Sequence, residues 1–100
     1  MPIGVLVLQI HLPDSHSLKD RRNALRRLKD RLRSKYNVAI AEMNEEARWQ
    51  YAEIGIAAIG RDAVYLRGLL DRAGEESLHV LSGEDVILGK IEILDYDAPA

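Results

Sequence analysis

The spacing of apolar residues along this 100-residue chain switches between two periods, and the switching leaves few folds open. From Ile3 to Leu12 the residues alternate. Leu6, Leu8, Ile10 and Leu12 fall on one side with Gly4, while Ile3, Val5 and Val7 fall on the other, as successive side chains of a strand do. Apolar character on most of both sides predicts a central strand. After Ser17 the period lengthens: Leu18, Leu25, Leu28, Leu32 and Tyr36 recur at intervals of seven, three, four and four, which aligns them on one face of a helix. Ser17 stands where its hydroxyl can accept from the backbone N–H of residue 20, the helix runs to about Tyr36, and Asn37 follows as a stop. The period returns to two over Val38 to Met43 and over Tyr51 to Ile59, two runs spaced for an antiparallel hairpin.

A second helix opens at Arg61-Asp62, with Leu66, Leu70 and Ala73 on its inner face. Its end has two readings. Gly74 can stop it, which leaves Leu78 to Leu81 as a strand, or it can continue through Val80 and stop at Gly83. The longer helix is preferred, because one internal glycine costs only about 1 kcal/mol and Leu81-Ser82-Gly83 suits a C-terminal stop. Val86 to Leu94 is the last strand, with Ile87, Ile91 and Ile93 pointing inward. The resulting β-α-β-β-α-β order predicts an α+β, ferredoxin-like sandwich: a four-stranded antiparallel sheet in the order 4-1-3-2 with two helices on one face. Residues 1–96 read as one domain and 97–100 as a frayed tail.

Charge is distributed unevenly over this frame. Leu18 to Lys35 holds nine basic and two acidic residues, a net charge of +7; the rest holds five basic and fourteen acidic, a net −9. At 100° per residue Lys19, Arg22, Arg26, Lys29 and Arg33 share a band about 80° wide beside the leucine face. Such a stripe can follow a phosphate backbone, each arginine making a two-pronged contact. It can also be a solvated helix face, or be neutralised by the acidic remainder of the chain or of a dimer mate. The acidic remainder argues for one-sided docking and also suits an acidic protein partner.

Several chemistries find no support in the sequence. The absence of cysteine removes disulfides, thiolate nucleophiles and cysteine-based zinc sites. His11, His16 and His79 lack zinc-ligand spacing, Asp14-Ser15-His16 lacks any sign of triad geometry, and the glycines are scattered and form no phosphate loop. No cofactor or metal is expected. Ile3 to Leu12 lacks the flanks of a signal peptide and is too short to span a bilayer, so the expected location is cytoplasmic, away from membranes. Base stacking on the sheet is disfavoured because the chain has no phenylalanine. The open sheet face instead gathers Ile3, Val5, Val7, Ala57 and Ile59, an apolar patch that predicts a symmetric homodimer. Trp49 reads as a packing anchor for its loop, and Glu42 as an ion-pair partner of the basic helix.

Ser17-Leu18-Lys19-Asp20-Arg21-Arg22, Leu28-Lys29-Asp30-Arg31-Leu32-Arg33, Asn37-Val38, Ala41-Glu42 and Trp49-Gln50 together resemble the YlxP-like family of small bacterial proteins, a family of unknown function, over roughly residues 3–94. The resemblance implies the ferredoxin-like fold and genes that often lie near those of translation and ribosome-maturation factors. It supplies no catalytic residue. The expected function is therefore a non-enzymatic RNA- or ribosome-associated binding protein acting through the basic helix. The alternative is a homodimeric protein-interaction or small-ligand regulatory module using the sheet face; a small enzyme acting through Glu42 and Trp49 ranks below both.

Overall fold

A computed structural model describes residues 1–44 and 49–97. The elements are β1 (Pro2–His11), α1 (Leu18–Lys35), β2 (Ala39–Glu42), β3 (Tyr51–Ile59), α2 (Ala63–Val80), β4 (Asp85–Leu88) and β5 (Glu92–Asp95). All strand pairings are antiparallel, in the order β2-β3-β1-β4, with β5 also paired to β1. The fold is the expected ferredoxin-like one, with β1 and β3 central. Among the described residues no helix is long and apolar enough to cross a membrane.

The alternation in β1 and β3 decides which sheet face is covered. Leu6, Leu8 and Ile10 of β1 and Ala52, Ile54 and Ile56 of β3 are buried with Leu25, Leu28 and Leu32 of α1 and Leu66, Leu70 and Ala73 of α2. Both helices therefore lie on one side of the sheet, and the partners across the β1–β3 register, such as Val5 with Ala57, lie on the other.

The caps follow from local chemistry. The Ser17 hydroxyl accepts from the Asp20 N–H at 3.1 Å, and the Asp20 carboxylate accepts from the His16 N–H at 3.0 Å, one residue earlier than in a standard capping box. Asp62 caps α2 by accepting from the Val64 N–H at 2.9 Å. The second helix takes the longer of its two readings. Gly74 sits inside it because the helix crosses the sheet there: a Cβ at Gly74 would lie 3.3 Å from side-chain atoms of both Leu6 and Leu88. The glycine permits close packing and does not end the helix.

The last strand departs from expectation. It is two strands, β4 and β5, so the sheet has five and not four. Leu8 pairs with Leu88 but Val5 pairs with Glu92, so three residues of the outer strand oppose two of β1. This is a β-bulge. The Gly89 N–H donates to the Val7 carbonyl at 2.8 Å, and a Cβ at Gly89 would lie 2.6 Å from that same oxygen, so the close approach requires glycine. The extra residue shifts the alternation by one. Ile91 and Ile93 pack on the core as expected, but Ile87 pairs with Gln9 on the open face and is 53% exposed. The tail assigned to 97–100 is described only at Asp97; positions 98–100 lie outside the described residues.

Candidate nucleic-acid interface

Eight of the nine cations of α1 fall on three faces with different uses for them, and the ninth, Arg27, lines a separate hollow with Asp14, Asp20 and Glu84. The first is the core face. Arg21 lies four residues before Leu25 and seven before Leu28, which puts it among the leucines, and its side chain is fully buried. It forms an ion pair with Glu42 at the end of β2, and its Nε donates to the Tyr51 carbonyl at 3.2 Å. Glu42 thus meets the basic helix as the sequence suggested, through a residue outside the predicted stripe. The pair ties the first turn of α1 to the end of the β2–β3 hairpin.

The second face looks toward α2. Arg31 Nε lies 2.9 Å and Lys35 Nζ 2.8 Å from Glu76 Oε1. The Lys35 hydrogen bond, then that of Arg31, hold the Glu76 carboxyl below its ordinary value of 4.5, against the opposing effect of desolvation. A carboxyl depressed in the folded state stabilises the fold above its unfolded pKa, and that contribution is lost as pH falls through the lower folded value. Glu76→Gln removes it. In urea titrations the stability gap between wild type and Glu76→Gln is therefore expected to be widest above about pH 5 and to close as the pH drops below about 4. A gap that stays constant from pH 7 to 3 contradicts the assignment. Both cations are about half exposed, so the gap is modest.

The third face carries the predicted stripe. Arg22, Arg26, Lys29 and Arg33 line a groove of about 310 Å³ beside the β2 edge, together with Asp30 and Glu42. Lys19, one turn earlier, is exposed and lies outside the lining. Lys29 is half-buried and the other stripe residues are exposed. Among the described residues no carboxylate lies within 4.0 Å of any of the five cationic groups, and none of the five side chains makes a hydrogen bond. Of the two acids that line the groove, Glu42 is already engaged by Arg21, and Asp30 makes no ion pair among the described residues. The groove is thus a concave cationic strip about 17 Å long from Arg22 to Arg33, at 1.5 Å per helical residue.

The open sheet face gathers the other predicted set. Ile3 pairs with Ile59 and Val5 with Ala57, and Val7 stands opposite Gly55. Ala39 and Ala41 of β2 extend the apolar surface. Its far end is polar: the Tyr51 hydroxyl donates to Glu53 at 3.2 Å and the His11 and Tyr51 rings lie 5.2 Å apart.

Trp49, read as a packing anchor, is 47% exposed. A lone tryptophan beside a charged, four-residue stretch carries too little local apolar company to settle its burial from sequence. The neighbouring Glu45, Glu46 and Arg48 lie outside the described residues. Among the described residues no three histidines or acids gather as a metal site. Sequence reasoning overlooked Arg21, whose heptad spacing from Leu28 was a usable signal, and Glu76, whose contact with α1 depends on helix pairing that no local pattern reveals.

Comparison with known proteins places this geometry in a family. The sequence profile of the family described as "Protein of unknown function (DUF503)" matches residues 3–83. The "Uncharacterized protein YlxP" of Bacillus subtilis (strain 168) is 34% identical over 70 residues, which cover 70% of this chain and 76% of that protein. Among solved structures, a C-terminal segment of the alpha subunit of aIF2 from Pyrococcus abyssi superposes with a TM-score of 0.56 at 21% identity over 87% of this chain. The chain spans 49% of that segment's length. SnoaB, a cofactor-independent oxygenase from Streptomyces nogalater, gives a TM-score of 0.58 at 8% identity, covering 99% of this chain and 97% of that one. At such identities both likenesses speak for the fold alone. The profile match over most of the chain and the Bacillus relative agree with the residue pattern along α1 and β2: the chain belongs to the YlxP-like family, DUF503.

Proposed function

We propose that this protein is a non-enzymatic RNA-binding protein, with ribosomal RNA among its targets, and that it holds a phosphate backbone in the groove between α1 and β2. The observation that carries the reading is the set of four groove cations, Arg22, Arg26, Lys29 and Arg33, which have no ion-pair partner among the described residues. Lys19 extends the strip at its N-terminal end. Arg21 is paired with Glu42, and Arg31 and Lys35 share Glu76, so the fold separates cations that hold it together from cations left to the surface. Placing unpaired like charges three and four residues apart destabilises a helix slightly, and a polyanion laid along them relieves that cost.

RNA suits this surface better than a DNA major groove. The stripe, Lys19 aside, lies in the groove between α1 and β2 and not on the outer crest of the helix, so its side chains meet a backbone before they reach base edges. A-form RNA is contacted largely through phosphates and shape, and a positively charged groove can track the backbone of a single strand without reading its bases. Binding is expected to be electrostatic and weakly dependent on sequence. With five phosphate contacts, log K falls against log salt with a slope of about −3.5 on a single strand and about −4.5 on a duplex. Anisotropy titrations of labelled RNA between 50 and 300 mM salt measure that slope. Absent or salt-insensitive binding removes the proposal.

A further inference from the structure

We infer that the open face of the sheet is the interface of a homodimer, in which two copies pack sheet to sheet with their helices outward. The face is apolar through its centre, and none of the described elements covers it. Val5, Val7 and Ala57 lie at its middle, and Met43, Ile59 and Leu94 around them are each more than half exposed. The bulge at Gly89 adds to it, because the shifted alternation turns Ile87 onto this face and away from the core. A shallow apolar depression of about 270 Å³ over Val5, Val7, Ala41, Met43 and Ala57 gives a second copy relief to fit into.

Area and charge select a second copy as the occupant. At about 3.4 Å per residue and about 4.8 Å between strands, β1 and β3 alone floor about 300 Å², and the outer strands widen this to about 500 Å² in plan. Side-chain relief brings such a face near the roughly 800 Å² per partner of a standard interface. Its apolar centre is self-complementary, which is what a two-fold contact requires. The other ways for two copies to meet are poorer. Contact through the β2 edge opposes two cationic stripes. Contact of the +7 helix with the acidic remainder is driven by charge and weakens as salt rises. Sheet-to-sheet packing, at about 10 Å between sheets, keeps both stripes on the outside. The inference rests on the sheet face and is independent of the RNA reading.

Sedimentation equilibrium at about 50 μM tests it, in 0.1 and 1 M NaCl. Wild type is expected at twice the 11.3 kDa chain mass in both salts, since apolar burial is not screened. Val5→Asp is expected to sediment as a folded monomer with wild-type circular dichroism. If that variant does not fold, Ile59→Asp, at a 58% exposed position, takes its place with the same expectation. A wild-type monomer overturns the inference. So does a dimer that dissociates in 1 M salt, which is the mark of a charge-driven contact, or a folded aspartate variant that remains dimeric.

Discussion

Arg21→Ala is expected to lower the unfolding free energy by about 3 kcal/mol, the low end of the range for breaking a buried ion pair, since Glu42 retains some contact with water. Three losses combine. The Glu42 carboxylate is left without its cation, the Tyr51 carbonyl loses a donor, and the space held by the largest fully buried side chain of the described residues is emptied. Against a typical total of about 5–15 kcal/mol, such a loss leaves the fold marginal. Pairing Arg21→Met with Glu42→Leu is expected to recover most of it, because apolar replacements of similar volume often match a buried pair. Arg22→Ala, one residue along and exposed, should stay within about 0.5 kcal/mol of wild type. Urea midpoints for the four proteins check these values together. A loss under about 1 kcal/mol for Arg21→Ala would mean that the pair contributes little to holding α1 against the hairpin.

Charge reversal along the groove is expected to have the largest effect on binding. The triple variant Arg22→Glu, Arg26→Glu, Arg33→Glu should bind single-stranded RNA about 100-fold more weakly at 0.1 M salt. Each lost phosphate contact takes about 0.7 from the salt slope on a single strand, so three contacts take about 2.1. Over the tenfold change from 1 M salt, where the ionic contribution is screened out, that is about two orders of magnitude. Repulsion by the new carboxylates adds to it. The fold should be unaffected, because all three side chains are exposed and none has a partner among the described residues. Unchanged affinity in a folded triple variant removes the groove from the account.

What could be read in the sequence was what depends on neighbours along the chain. The period-two and period-3.6 spacings located the strands and helices, and Ser17 marked the start of α1 through a bond made within one turn. The stripe was legible because helical geometry alone fixes which residues share a flank. The partners of the other cations were not, since Glu76 is brought to Arg31 and Lys35 by the packing of α2 on α1. Arg21 stands between the two cases. Its spacing from Leu25 and Leu28 puts it on the core face, but sequence reasoning passed it over, since an arginine there makes sense only once Glu42 arrives from another element. The misplacement of Ile87 has a different cause. Alternation carries no memory of an inserted residue, and the clue was Gly89, a glycine inside a strand pattern.

The central claim is that cations left unpaired by the fold bind a polyanion. It is tested most directly by comparing salt dependences of RNA binding for wild type and the triple variant. The account predicts two lines of different steepness in a plot of log K against log salt, with the variant shallower by about 2 on a single strand. Parallel lines, or a wild-type line without slope, would show that the stripe on α1 does not contact phosphate.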